Sequence, residues 1–183
     1  LMLRSGAQPG DAVAVTGFFG KTAAGLKMLM ENLSASSVAR RVFLDAVLMP
    51  RARLKEGLAL ASMRAVSASI DSSDGLAWSL HEIGRASKVG FVIDNLPVAP
   101  EVLQFAKRNK LDPVELALYG GEEYELVLTV KPRLWKRAAS AVERAGGSLL
   151  RIGKVAKGTD VILRLKNKTV QIEPRGYEHF KSG

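Results

Sequence analysis

The sequence predicts an α+β fold, a layered α/β sandwich in which helices pack on a mixed β-sheet. Three observations carry this. Short Val-rich apolar runs alternate with segments of helical period, the pattern of sheet and helix layers. The last third reads strand, helix, strand, strand, and hairpin-like pairing of the final strands implies mixed strand direction. No internal repeat, linker or low-complexity tract interrupts the 183 residues, which suits one compact domain.

In order, Gln8-Pro9-Gly10-Asp11 is a turn and Ala12 to Thr16 a strand. Gly17 to Gly20 is a loop, and Thr22 to Asn32 a helix with Ala23, Leu26, Leu29 and Met30 at helical spacing and Thr22 as its cap. Ser34 to Ser37 break the pattern. An apolar stretch runs from Val42 to Pro50, and Leu54 to Val66 reads as helix. Ala68 to Asp71 is a buried strand, Gly75 to Ser87 a helix, Gly90 to Asp94 a strand, and Pro100 to Asn109 and Pro113 to Tyr119 are helices. Tyr124 to Val130 (strand), Pro132 to Ala145 (helix, stopped by Gly146-Gly147), Leu149 to Val155 and Val161 to Leu165 (strands) complete the series.

Composition narrows the function classes. The chain is 47% hydrophobic and 25% charged and has no cysteine, which allows a real core and excludes disulfides, zinc-thiolate sites and thiol nucleophiles. No apolar run approaches the roughly 18 residues that span a bilayer, and Leu1 to Gly6 lacks the pattern of a signal peptide. A reducing cytoplasm is the expected location. The net charge of +9 comes from small scattered basic groups without interleaved aromatics. A solvated surface that also attracts phosphate-bearing ligands is the expected reading, rather than a nucleic-acid platform.

The acidic blocks are the chemical signal in this basic chain. Asp71 and Asp74, three residues apart at a strand-to-helix turn, suit a divalent cation held with waters and substrate phosphates, with the Ser73 hydroxyl beside them. The simpler alternative makes Asp74 a helix N-cap, worth about 1 kcal/mol, and leaves Asp71 at a wet strand end. Gly120-Gly121-Glu122-Glu123-Tyr124-Glu125 loads a flexible turn with acid. With a period of two, Glu123 and Glu125 share one face of the strand, either as surface acids of an edge strand or as a ligand contact. Gly17 to Thr22 imitates a P-loop, but the glycine required five residues before Gly20 is Val15. A glycine turn feeding a helix is the simpler reading, with phosphate at the helix N-terminus as the alternative. His81 and His179 have no metal-ligand spacing and read as structural, and Trp78 and Trp135 read as core or partner-facing.

Taken together, Arg4-Ser5-Gly6-Ala7 to Asp11, Thr16-Gly17 to Gly20, Ala23-Ala24-Gly25-Leu26, Ile70 to Leu76, Gly120 to Leu126 and Gly176-Tyr177-Glu178-His179-Phe180 resemble thiamine-monophosphate kinase. That family belongs to the superfamily of aminoimidazole ribonucleotide synthetase and selenophosphate synthetase. The I-D-x-S-D-G-L form marks the superfamily, and the G-Y-x-H-F ending marks the kinase branch. The resemblance implies a cytoplasmic, nucleotide-binding transferase that moves the γ-phosphoryl of ATP to thiamine monophosphate, giving thiamine diphosphate and ADP, by positioning and charge neutralisation.

By the same resemblance, Asp71 and Asp74 bind magnesium, Ser73 and Arg4 contact ATP, and Glu123, Glu122 and Tyr177 approach the thiamine moiety. No residue is assigned as a nucleophile. Glu123 stands where the family usually has Asp, Ser72 where it is commonly apolar, and Ser79 where an Asp often follows. The resemblance covers a C-terminal domain. It implies an N-terminal domain bearing most metal ligands, a homodimer of the full-length enzyme, and no activity for the 183 residues alone. The alternatives are another ATP-dependent enzyme of the superfamily and a non-catalytic binding or assembly domain.

Overall fold

The computed structural model describes residues 2–176. Among them, seven strands form one mixed sheet: β1 (Ala12–Val15), β2 (Val66–Asp71), β3 (Gly90–Ile93), β4 (Leu126–Val130), β5 (Leu150–Ala156), β6 (Val161–Arg164) and β7 (Thr169–Gln171). Their spatial order is β2-β4-β1-β5-β3-β6-β7, with β3 and β6 parallel and every other pair antiparallel. The helices are α1 (Lys21–Met30), α2 (Ser37–Leu48), α3 (Leu54–Ser62), α4 (Leu76–Ser87), α5 (Pro100–Asn109), α6 (Pro113–Tyr119) and α7 (Trp135–Arg144). The α+β layered fold is the one the sequence predicts.

The strand period of two builds two cores from one sheet. Val13, Val15 and Val127 point to one face and pack with Leu76, Leu80 and Ile83 of α4. Ala14, Leu128 and Val130 point to the other and pack with Leu60 of α3 and with Ala138 and Val142 of α7. A third cluster is all-helical and joins α1, α2, α5 and α6 around Phe43 and Phe105. Those two rings meet edge-to-face at 5.2 Å, a geometry worth about 1 kcal/mol beyond burial.

Several boundaries differ from the sequence reading. Ser34 to Ser37 do not only end a pattern: Ser36 accepts the Ala39 N–H at 3.2 Å and caps α2, and the Val42 to Pro50 stretch is most of that helix. The third helix stops at Ser62, and Arg64 turns the chain at φ 53 into β2. β5 and β6 do not form a hairpin with each other. β6 crosses over to lie parallel to β3, while β5 sits between β1 and β3. Thr169–Gln171 carries no apolar alternation, is wholly exposed, and joins the sheet as an unforeseen edge.

Candidate functional site

At the end of β2 the chain leaves the sheet at Asp71 and enters α4 at Leu76. Gly75 occupies the N-cap position with φ 105, and no side chain caps this helix, so Asp74 is not the cap considered above. Asp71 and Asp74 are both exposed, and neither carboxylate makes a hydrogen bond or ion pair among the described residues. Between them Ser73 is half-buried. Ser72 is fully buried, and its Oγ is the one buried side-chain polar atom without a partner among the described residues. Ser79 is buried too. Its hydroxyl donates to the Gly75 carbonyl at 2.9 Å and to the Asp71 carbonyl at 3.4 Å, which ties the first turn of α4 back to the acidic turn.

The second acidic loop lies directly alongside. The Glu122 N–H donates to the Ser73 carbonyl at 2.7 Å, the Ser72 N–H to the Glu125 carbonyl at 2.8 Å, and the Tyr124 N–H to the Ser72 carbonyl at 3.3 Å. Two segments about fifty residues apart in sequence are thus laced backbone to backbone. The loop is not a strand: β4 begins only at Leu126, and Glu122 and Tyr124 take left-handed φ of 59° and 52°. The period-two reading of Glu123 and Glu125 therefore fails. The edge-strand alternative fails with it, because β4 lies between β2 and β1 and both acids are buried.

Glu123 does the capping that the sequence assigned to Thr22. The N-cap residue of α1 is Gly20, at φ 93, and no side chain within the helix caps it. Instead the Thr22 N–H donates to Glu123 Oε1 at 3.0 Å. A helix N-terminus is a ready anion site, and the chain fills this one with its own carboxylate, which leaves the phosphate alternative no place there. Burial pushes the Glu123 carboxyl up to about 7, against the lowering pull of the Lys21 ammonium and the Thr22 N–H, and the neighbouring Glu125 adds to the rise.

Glu125 is 1% exposed and carries a network that sequence reasoning missed. Arg53, the residue before α3, grips it with Nε at 2.8 Å and Nη2 at 2.6 Å, and Thr16 Oγ1 donates to it at 2.8 Å. Thr16 Oγ1 in turn accepts the Leu126 N–H at 2.8 Å. Arg53 stood in the sequence as one of a scattered basic group, and nothing in the spacing sets it apart from Arg51 or Lys55. Gly17 belongs to the same packing, since a Cβ there would come within 2.6 Å of the Glu125 carboxyl carbon.

A cavity of about 240 Å³ opens beside this network. Lys21, Arg53, Glu122 and Glu123 line one side, and Val42 and Met49 of the α2 end supply an apolar wall. The larger groove between α3 and α7, about 800 Å³, is lined by Lys136, Arg137 and Arg144 and contains neither acidic loop.

Arg4 is not part of this cluster. Its guanidinium pairs with Glu82 on α4 at 3.6 Å, and its carbonyl accepts the Ser87 hydroxyl. His81 is structural, with Nε2 2.8 Å from the Ile172 carbonyl. Arg175 clamps the chain onto α6 just after Ile172. Arg175 forks onto Glu115 at 2.7 and 2.8 Å and lies 3.6 Å over the Tyr119 ring. Gly176 follows so closely that a Cβ would be 2.8 Å from the Asp74 carbonyl and 3.2 Å from Trp78 Cβ. Tyr177 and His179 lie outside the described residues.

The acidic turn can be tested as a metal site by its donors. Two exposed carboxylates, unpartnered among the described residues, fit magnesium, which keeps waters and takes one or two protein carboxylates plus phosphates. They do not form a closed protein cage, since no group of three or more acids or histidines converges among the described residues.

The family model for the AIR synthase related protein, C-terminal domain, matches residues 8–166. The chain belongs to that family. Among curated relatives, thiamine-monophosphate kinase of Nitrosopumilus maritimus is 34% identical over 178 residues, covering 97% of this chain and 56% of the relative. That of Pyrococcus horikoshii is 36% identical over 188 residues, covering all of this chain and 54% of the relative. The solved structure of AaThiL complexed with AMPPCP and TMP superposes with a TM-score of 0.79 at 29% identity, over 98% of this chain and 54% of that one. The chain thus spans about half the length of these family relatives. Among its described residues no helix is long and apolar enough to cross a membrane.

Proposed function

We propose that this chain is the C-terminal domain of a kinase that transfers the γ-phosphoryl of ATP to thiamine monophosphate, giving thiamine diphosphate and ADP. The observation that carries this is the lacing of Ser72 and Ser73 to Glu122, Tyr124 and Glu125. It sets an open pair of carboxylates beside a buried acid at a cavity mouth. Phosphoryl transfer needs a charge-neutralising side and a substrate-orienting side held in fixed relation. The kinase relatives and the AMPPCP- and TMP-bound neighbour support the same assignment.

Asp71 and Asp74 would hold magnesium, which supplies neutralisation of the transferring phosphates. Ser73 directs its hydroxyl to the nucleotide. Arg4 reaches the nucleotide by leaving Glu82, a 3.6 Å pairing of a largely exposed guanidinium with a half-buried carboxylate. Glu123, with Glu122 at its side, meets the cationic thiazolium, and Tyr177 stacks on it. No side chain acts as nucleophile, because the substrate phosphate attacks directly.

The remaining metal ligands and a homodimer contact belong to an N-terminal domain of the same cytoplasmic enzyme, so these 183 residues alone show no turnover. The test is to supply the whole protein with ATP, magnesium and thiamine monophosphate and to look for thiamine diphosphate. The aminoimidazole precursor and selenide serve as competing substrates. Turnover of either of those in place of thiamine monophosphate would sink the assignment.

A further inference from the structure

The loop from Gly120 to Glu125 holds two non-glycine residues, Glu122 and Tyr124, in left-handed conformations that side chains disfavour. Such a loop keeps its shape only if it is held to its surroundings: backbone hydrogen bonds tie it to Ser72 and Ser73, and two side chains supply further fixed points. One fixed point is Glu123 on the first turn of α1. The other is Glu125, whose carboxylate takes the Arg53 fork and the Thr16 hydroxyl. The fork spends Nε and Nη2 on this carboxylate, and Nη1 lies 3.4 Å from Glu56 of α3. Arg53 side-chain exposure is 27% and that of Glu125 is 2%. Removing the cation would strand a buried charge, whereas removing both members would strand nothing.

We propose that Arg53 is a positioning residue for the substrate-facing loop: acting through Glu125, it holds Glu122 and Glu123 where the substrate meets them. This rests on the reading above that Glu122 and Glu123 face the substrate. Planarity matters as well as charge, because only a guanidinium offers two parallel donors to one carboxylate. Arg53→Lys, which keeps the charge, therefore falls between the wild type and Arg53→Gln. A residue that merely anchored α3 would behave differently, since deleting its partner would repair nothing.

The experiment compares Arg53→Gln, Arg53→Lys and the double variant Arg53→Gln/Glu125→Gln in the whole protein by two readouts. Hydrogen exchange follows the Tyr124 and Leu126 amides, with the Phe91 amide of β3 as internal reference. Kinetics follow KM for thiamine monophosphate beside kcat. In Arg53→Gln the two loop amides exchange about tenfold faster or more while Phe91 is unchanged, and KM rises about tenfold with kcat within about threefold. The double variant recovers most of both losses. Unchanged loop exchange in Arg53→Gln, or a double variant no better than the single one, overturns the proposal. Were Arg53→Gln too unstable to study, Arg53→Lys against the double variant decides by the same exchange criterion. A wild type that does not phosphorylate thiamine monophosphate would defeat the substrate reading, while the exchange comparison would still decide the role of Arg53.

Discussion

In the turn at Asp71 to Asp74 both carboxylates are exposed and, among the described residues, unpartnered, while in the adjoining loop at Glu123 and Glu125 both are buried. The buried pair accepts a helix N–H, an arginine fork and a threonine hydroxyl. The two segments hydrogen-bond to each other, so the contrast is not one of distant environments. The same side-chain chemistry is put to opposite uses in two hydrogen-bonded segments. Open carboxylates remain available to a cation. Enclosed ones must be matched internally, and in return they shape the loop that carries them.

The comparison breaks first at Asp71. Asp71→Asn should lower magnesium-dependent turnover of the whole protein by about a thousandfold, on the order of 4 kcal/mol in the barrier. Its thermal unfolding should stay within about 0.5 kcal/mol of wild type, as for an exposed site. Equal losses of stability and activity would erase the distinction between the two loops. Glu125→Ala should do the reverse, destabilising by about 3 kcal/mol in denaturant unfolding because Arg53 loses its partner in a largely enclosed place. A loss under 1 kcal/mol would mean that the network is ornamental.

The pH dependence sharpens the contrast within the buried pair. The Glu123 carboxyl sits at about 7 against an ordinary 4.5, so between those values the folded state binds more protons than the unfolded one. Stability from this group is therefore greatest below pH 4.5, falls as pH rises towards 7, and is flat above, a span on the order of 3 kcal/mol. Glu123→Gln should remove that decline, as read from unfolding curves at pH 5 and pH 8. A cationic ligand favours the carboxylate, so thiamine monophosphate should bind the wild type more tightly as pH rises through about 7. The smallest effect belongs to Ser72. Its hydroxyl, without a partner among the described residues, makes Ser72→Ala a stabilising change of about 1 kcal/mol, visible as a raised Tm, and a destabilised variant would show that the hydroxyl has a partner after all.

Much of the fold was legible because its elements carry local signals. Pro100 and Pro113 open α5 and α6 where the sequence placed them, and the Val-rich runs became buried strands. What escaped depended on partners far along the chain. Thr22 has the identity of a cap, yet the α1 N-terminus is closed by an acid 101 positions away. Glu123 and Glu125 alternate like strand residues, but their backbone is bent by two left-handed neighbours. The Asp71 to Asp74 turn was readable because its spacing is local, whereas Arg53 was not, because its meaning lies wholly in Glu125. Ser79 changed significance too. Standing where an acid often follows, it serves here as a hydroxyl tie to the Asp71 and Gly75 carbonyls.

The packing of Gly176 on Trp78, next to Asp74, gives the molecule an optical gauge of its own. The chain has two tryptophans. Trp135 packs in the α3–α7 cluster with Leu60 and Val142, away from the acidic turn, while Trp78 stands four residues beyond Asp74 with the Arg85 guanidinium 5.8 Å from its ring. Any rearrangement of that turn or of Gly176 beside it alters the polarity around one indole and leaves the other as a fixed background. Changes in the intrinsic emission of these 183 residues on adding a ligand can therefore be assigned to one place in the domain, with no label attached.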